Sequence, residues 1–152
     1  SLPIASLGNL VAQDYLATGL SLKAHTVTIL EPYFLVDGWQ PCSIAIDIMD
    51  GKKHQLIGLV TGRQMPGTAK GTVFITLEDA HYSLNVIAWP AIVRAYRAAL
   101  LGSHLLGVSG RIQKQGKIIH LIADKLVNCD LYLQYLRTPE LKTPILKSRN
   151  FH

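Results

Sequence analysis

The chain has 152 residues, 49% of them hydrophobic and 16% charged, which is enough for one folded domain with a sizeable core and excludes a disordered chain. Lys and Arg outnumber Asp and Glu by 15 to 10, and the formal charge of +5 favours a polyanionic partner. The two cysteines, Cys42 and Cys129, lie far apart without metal-ligand spacing, so they indicate neither a disulfide framework nor a zinc site and are typical of a reducing compartment.

The apolar runs and the first residue bear on the cellular setting. No apolar run reaches the length of a membrane span, and no charged region followed by an apolar stretch opens the chain. We therefore expect neither a membrane protein nor a signal peptide. Because the chain begins at Ser1 and not at Met, we expect a piece of a longer polypeptide, although removal of an initiator Met would leave the same first residue.

Residues 1–53 are predicted to be helical and irregular. In residues 9–20, Leu and Val recur at an interrupted helical spacing, which predicts a helix that Gly19 could end. Residues 25–34 form a short apolar piece that Pro32 interrupts. The next proline in the sequence, Pro41, fits the first turn of a helix that runs to Ile48.

After a turn at Asp50-Gly51 the apolar period changes from helical to two, which is typical of strands. In the second strand Val73, Ile75 and Leu77 share one face and Phe74 lies on the other. A helix from Ala91 to Leu101, opened by Pro90 and stopped by Gly102, separates the third strand from the fourth. The five predicted strands are Gln55 to Arg63, Thr72 to Glu78, Tyr82 to Trp89, Leu105 to Gln113, and Lys117 to Val127.

Three strands, a helix and two strands is the order of the OB-fold, a small five-stranded barrel with its helix between strands 3 and 4. The predicted class is therefore mainly β, with a short helical segment in front. We expect a helical lead-in at 1–53, an OB-fold nucleic-acid-binding domain at 54–130 and a C-terminal tail at 131–152.

OB-folds bind nucleic acid across strands 2 and 3, between loops 1–2 and 4–5. On the strand 2–3 face the candidates are Phe74, Thr76, Asn85 and Trp89. A base could stack on Phe74, although N-terminal helices could equally cover that ring. For Trp89, beside Pro90, burial is the favoured expectation.

The two loops supply cations for phosphates. Loop 1–2 offers Arg63, Gln64, Thr68 and Lys70 among glycines that let a backbone approach a phosphate. Loop 4–5 repeats the pattern; its candidates are Arg111, Gln113, Lys114 and Lys117. Either loop could instead be an ordinary solvated loop.

Nothing in the sequence indicates catalysis. Glu78-Asp79 is the one carboxylate pair beside a turn, and turn formation is its expected role. The six histidines are scattered, with His120 expected in the sheet, and no nucleophile or phosphate-loop motif is present. We expect no catalytic residue, metal ligand or cofactor within these residues.

An ordered series of motifs resembles the C-terminal OB region of bacterial error-prone DNA polymerases, the damage-inducible relatives of the replicative polymerase III alpha subunit. The resemblance covers nearly the whole chain, up to the ending Ser148-Arg149-Asn150-Phe151-His152. The motifs include Gly58-Leu59-Val60, Pro66-Gly67-Thr68-Ala69-Lys70-Gly71, Thr76-Leu77-Glu78-Asp79, Asn85-Val86-Ile87, Trp89-Pro90 and Leu105-Leu106-Gly107-Val108-Ser109-Gly110-Arg111.

This resemblance implies a cytoplasmic, nucleoid-associated DNA polymerase that copies past damaged bases. Its two-metal site, with Mg²⁺ held by aspartates, would lie upstream of Ser1. The present residues would bind single-stranded or primer-template DNA. The resemblance also implies an accessory translesion protein and, through it, the sliding clamp.

The chain departs from the family pattern at two places. Met65 stands where a basic residue is common, and Ala80 to Ser83 lack the usual turn glycine. These departures favour an alternative function, a protein-interaction module that docks through Phe74 or the apolar segment 131–136. A third hypothesis is that this chain is an enzyme by itself, but the sequence contains no recognisable group of catalytic residues to support it.

Overall fold

The computed structural model describes residues 20–67 and 70–136, and these form a closed five-stranded barrel. The helix predicted around residues 9–20, its end at Gly19 and the candidate Thr68 lie outside the described residues. The barrel strands are β1 Lys53–Gln64, β2 Val73–Glu78, β3 Ser83–Ala88, β4 Leu105–Gln115 and β5 Ile118–Asn128.

The order of strands around the barrel is β1, β2, β3, β5, β4 and back to β1. All neighbours are antiparallel except β3 and β5, which run parallel. A two-residue strand, Gln40–Pro41, adds in parallel to β1. This is the OB-fold arrangement that the element order predicts.

The alternating pattern of β2 fixes which face is inside. Val73, Ile75 and Leu77 are buried, while Phe74 and the other intervening residues are only half-buried. The same alternation in β3 buries Leu84 and Val86, and burial of such aliphatic side chains stabilises the barrel by about 1.5–3 kcal/mol each. The inward face predicted from the sequence is confirmed.

The helix between β3 and β4 is divided into two short helices, α2 Pro90–Ala95 and α3 Arg97–Gly102, where one helix was predicted. Tyr96 separates them with φ −122° and ψ 33°, outside the helical region. Both halves contribute to the core, since Val93 and Leu100 are buried. The bend between the two helices lets both side chains reach the barrel interior.

The N-terminal helix α1 spans Leu20–Phe34, so the prediction that Pro32 interrupts this segment was wrong. Leu30, Tyr33 and Phe34 are buried on both sides of the proline, and this packing outweighs the cost of proline near a helix end. Pro41 is the N-cap residue of a 3₁₀ helix, Cys42–Asp47. No helix in the described ranges is long and apolar enough to cross a membrane.

A second apolar cluster lies outside the barrel, on the wall formed by β1 and β4. There α1 and a final 3₁₀ segment, Asp130–Leu136, pack against Ile57, Leu59 and Leu105. The rings of Tyr33 and Tyr135 stack with centroids 4.0 Å apart. The domain limits at 54 and 130 remain a prediction, although segments on both sides of the barrel meet on this wall.

Asp130 joins this outer cluster to the barrel. Its carboxylate is almost fully buried and accepts the backbone N–H groups of His104 and Leu105 at 2.9 and 2.7 Å. The imidazole of His104 lies 3.2 Å from the second carboxylate oxygen. The start of β4 and the start of the last 3₁₀ segment are thereby held together.

Both cysteines are buried and unpaired, one in each cluster. Burial raises the pKa of the Cys42 thiol well above its usual range and that of Cys129 to about 12. Both thiols therefore stay protonated at neutral pH, which removes the thiolate that a cysteine nucleophile needs.

The turn between β2 and β3 forms without the glycine that the family pattern carries. One oxygen of Asp79 accepts the N–H groups of His81 and Tyr82 at 2.8 and 2.9 Å. The other accepts the N–H of Ser43 at 2.8 Å. The carboxylate organises the turn, as expected for this residue, and anchors it to the 3₁₀ helix that Pro41 begins.

Replacement of Asp79 by Ala should lower the free energy of unfolding by about 1.5–3 kcal/mol, because three N–H groups lose a charged acceptor. Chemical denaturation followed by circular dichroism measures this loss. The matched control is Asp47→Ala, an exposed carboxylate, which should change stability by less than about 0.5 kcal/mol. Equal stability of the two variants would contradict the turn role.

Candidate nucleic-acid interface

The strand register places two rows of side chains on the outer face of the barrel. We call the first the Phe74 row; from β1 to β4 it contains Gln64, Phe74, Ile87, Ile122 and Arg111. The second, the Asn85 row, lies two residues along each strand and contains Thr76, Asn85, His120 and Gln113. Residues paired directly across strands share a face, so each row is continuous.

The Phe74 row forms an apolar platform. Phe74 is half-buried and its neighbour Ile87 is 9% exposed. The described part of α1 packs on β1 and β4 and not on Phe74, so the alternative that N-terminal helices cover this ring gains no support from those residues. Part of the Phe74 side chain is therefore exposed on this face.

Trp89 follows β3 on the same face and is 50% exposed, so the expectation of burial was wrong. Side chains alternate along β3, and Trp89 has the outward parity of Asn85 and Ile87. Pro90 then starts α2, and Val93 of that helix is buried in the barrel core. Two rings therefore lie on the predicted strand 2–3 face.

Loop 1–2 reaches β2 through two residues in the left-handed region, Lys70 with φ 51° and Gly71 with φ 96°. A left-handed lysine is uncommon and holds its backbone in a tight turn. Its side chain is exposed and bonds to no described residue. Gln64 and Met65 on the other side of the loop are exposed too, so this loop carries one free cation among the described residues.

Arg63 serves the fold. Its Nε donates to the carbonyl of Leu100 at 2.6 Å and its Nη2 to that of Ser103 at 2.5 Å, at the C-terminal end of α3. Burial lowers the pKa of the guanidinium, and nearby Asp130 opposes that shift. A cation suits the negative end of a helix, and the phosphate contact predicted for Arg63 gains no support.

Loop 4–5 divides its four candidates in the same way. Lys114 is tied to the fold, since its ammonium donates to the carbonyl of Ile46 and its N–H to Asp50, both at 2.7 Å. The side chains of Arg111, Gln113 and Lys117 are exposed and make no hydrogen bond or ion pair with any described residue. Arg111 and Gln113 line a concavity of about 360 Å³ at the β4 end of the two rows.

The candidate contacts predicted from the sequence did not include His120, Ile87 or Ile122, although Ile87 shares the outward alternation of Asn85 and Trp89. Their outward parity could be read from the strand pattern. The antiparallel hairpin of β2 and β3 places Ile87 opposite Phe74. The positions of His120 and Ile122 opposite Asn85 and Ile87 depend on the parallel pairing of β3 with β5, which no local pattern encodes.

The described residues contain no group of three His, Cys, Asp or Glu side chains that could hold a metal ion. The side chains on and beside this face include aromatic rings, hydrogen-bonding groups and cations.

Comparison with known proteins relates nearly the whole chain to error-prone DNA polymerases. The protein of that name from Vibrio parahaemolyticus is 40% identical over 140 residues, covering 92% of this chain and 13% of that protein. The one from Dechloromonas aromatica is 40% identical over 154 residues, covering 99% of this chain and 14% of that protein. The chain thus spans about one seventh of these relatives' length.

No family model matches the chain. Among solved structures, a chain of the Stn1–Ten1 complex of S. pombe is similar with a TM-score of 0.44 and 19% identity, over 66% of this chain and 78% of that one.

Replacement of Arg63 by Ala should lower the free energy of unfolding by about 1.5–3 kcal/mol, because two carbonyls at the end of α3 lose a charged donor. Thermal and chemical unfolding measure the effect. Arg97→Ala, which removes an exposed arginine of α3, is the control and should be nearly neutral. A stable Arg63→Ala variant that binds DNA more weakly would instead place Arg63 on the ligand.

Proposed function

This chain corresponds to one segment of the bacterial error-prone DNA polymerases, and from that relationship we propose that it holds single-stranded template DNA. The DNA would lie across the outer face of β2, β3, β5 and β4. The polymerase reaction itself, with its Mg²⁺ ions, would belong to residues upstream of Ser1 in the full-length protein, which would act at the bacterial nucleoid.

One observation carries the proposal: rings and free cations occupy the same face. Phe74 and Trp89 offer surfaces on which bases can stack, a contact worth about 1–3 kcal/mol per base. Arg111 lies at the β4 end of the Phe74 row, Lys70 in loop 1–2 and Lys117 in loop 4–5, and none of these side chains has a partner among the described residues. Phosphates could therefore be neutralised while the bases stack between the cations.

A second candidate function, docking of a protein partner, rests on a different surface. A groove of about 510 Å³ lies beside the outer cluster, bordered by Trp39, Tyr132 and Leu131. Leu131 is 46% exposed, and Val127 next to it is 41% exposed. We propose that an accessory translesion protein, linked in turn to the sliding clamp, would use this surface rather than the Phe74 row.

Phe74→Ala should weaken binding of a labelled oligo-dT by about 5- to 150-fold, because one stacking contact is lost. Lys70→Ala should weaken it less and should reduce the salt dependence of log K by about 0.7, the share of one phosphate on a single strand. Fluorescence anisotropy at two or more salt concentrations measures both effects.

Two matched controls lie on other surfaces. Leu131→Ala removes an exposed apolar side chain, and Arg94→Ala removes an exposed cation of α2. Because surface substitutions of this kind change stability little, neither should alter DNA binding by more than about twofold. An affinity that does not change with salt concentration would contradict this interface. So would an affinity that falls in Leu131→Ala and not in Phe74→Ala. In that case the docking function would be the better account.

A further inference from the structure

The Asn85 row brings four polar side chains side by side on the barrel face. Thr76 on β2, Asn85 on β3, His120 on β5 and Gln113 on β4 are consecutive partners in the strand register. Their inward neighbours along the strands, among them Val86 and Leu121, are buried, so all four side chains point outward. Together they form a polar strip that crosses the barrel.

These side chains differ from several other polar groups of the barrel, which are bound to the protein. Thr61 donates to Glu78 at 2.9 Å, and Asp79, Arg63 and Lys114 are tied to backbone groups. The side chains of Asn85, His120 and Gln113 make no hydrogen bond to any described residue. Their donors and acceptors are free for a ligand.

The distance between the rows suits a nucleobase. The Asn85 row is offset from the Phe74 row by two residues along each strand, about 7 Å. A base lying flat on Phe74 can therefore turn one edge towards Asn85 and His120. Amides and a neutral imidazole each present both a donor and an acceptor, the pattern that base edges require.

We propose that the Asn85 row contacts the hydrogen-bonding edges of unpaired bases, so that this barrel discriminates between bases and does not bind the backbone alone. Amide side chains pair best with adenine, through one donor and one acceptor. Adenine is therefore the expected preferred base. This inference rests on the proposed binding of single-stranded DNA and adds the residues that read it.

The test compares two labelled 12-nucleotide probes on the 152-residue chain: oligo-dA and an oligonucleotide of the same length with abasic sites throughout. Asn85→Ala and His120→Ala should each weaken oligo-dA binding by about fivefold or more, the lower range for loss of a base contact. Binding of the abasic probe should stay unchanged, because it offers phosphates and no base edges.

His25→Ala, an exposed histidine of α1, is the control and should change neither affinity. Gln113→Ala, at an exposed position of β4, provides a variant with little effect on folding and should behave like Asn85→Ala. Equal loss for both probes, or no loss for either, would overturn the inference. Absence of salt-sensitive binding of both probes by the unaltered chain would instead refute the proposed function itself.

Discussion

The parallel pairing of β3 with β5 is the contact on which the rest of this structure depends. Three residue pairs, from Asn85 opposite His120 to Ile87 opposite Ile122, close the sheet into a barrel and bring β5 next to the strand that carries Asn85. The approach of β4 to β5 on the other side needs Gly110, where a side-chain carbon would lie 2.2 Å from the carbonyl oxygen of Ile122. Without this closure the two outer rows would end at β3, and Arg111 would have no continuous path to Phe74.

Packing divides the outer surface of the barrel into two walls with different roles. The wall of β1 and β4 is covered by α1 and the last 3₁₀ segment, and the buried carboxylate of Asp130 fixes that cover to the start of β4. The wall of β2, β3 and β5 carries no such cover among the described residues. The guanidinium of Arg63 is also used by the fold, since its hydrogen bonds join the end of β1 to the end of α3. The cations left for a polyanion are those that the fold does not use.

Sequence analysis predicted the strand order, the inward face of β2 and the helix between β3 and β4, because each follows from a local pattern of apolar residues. It was wrong at Pro32, which remains within α1 because the residues around it are buried against the barrel. It was also wrong at Trp89, which keeps the outward position of the β3 alternation although Pro90 and α2 follow it. The role of Arg63 depends on carbonyls that lie 37 and 40 residues away along the chain. The register of β5 against β3 is what places His120 on the candidate face, opposite Asn85. The residue types of the site could thus be predicted, but not which of them are free.

Titration of the ¹⁵N-labelled chain with oligo-dT, followed by amide chemical shifts, can show whether single-stranded DNA lies on the two rows, because every strand of the barrel reports separately. We expect the largest shifts at Phe74, Asn85, Ile87 and Ile122, with little change around Trp39 and Leu131. Shifts confined to the groove beside Trp39 and Leu131, with the two rows unaffected, would contradict this placement of the DNA.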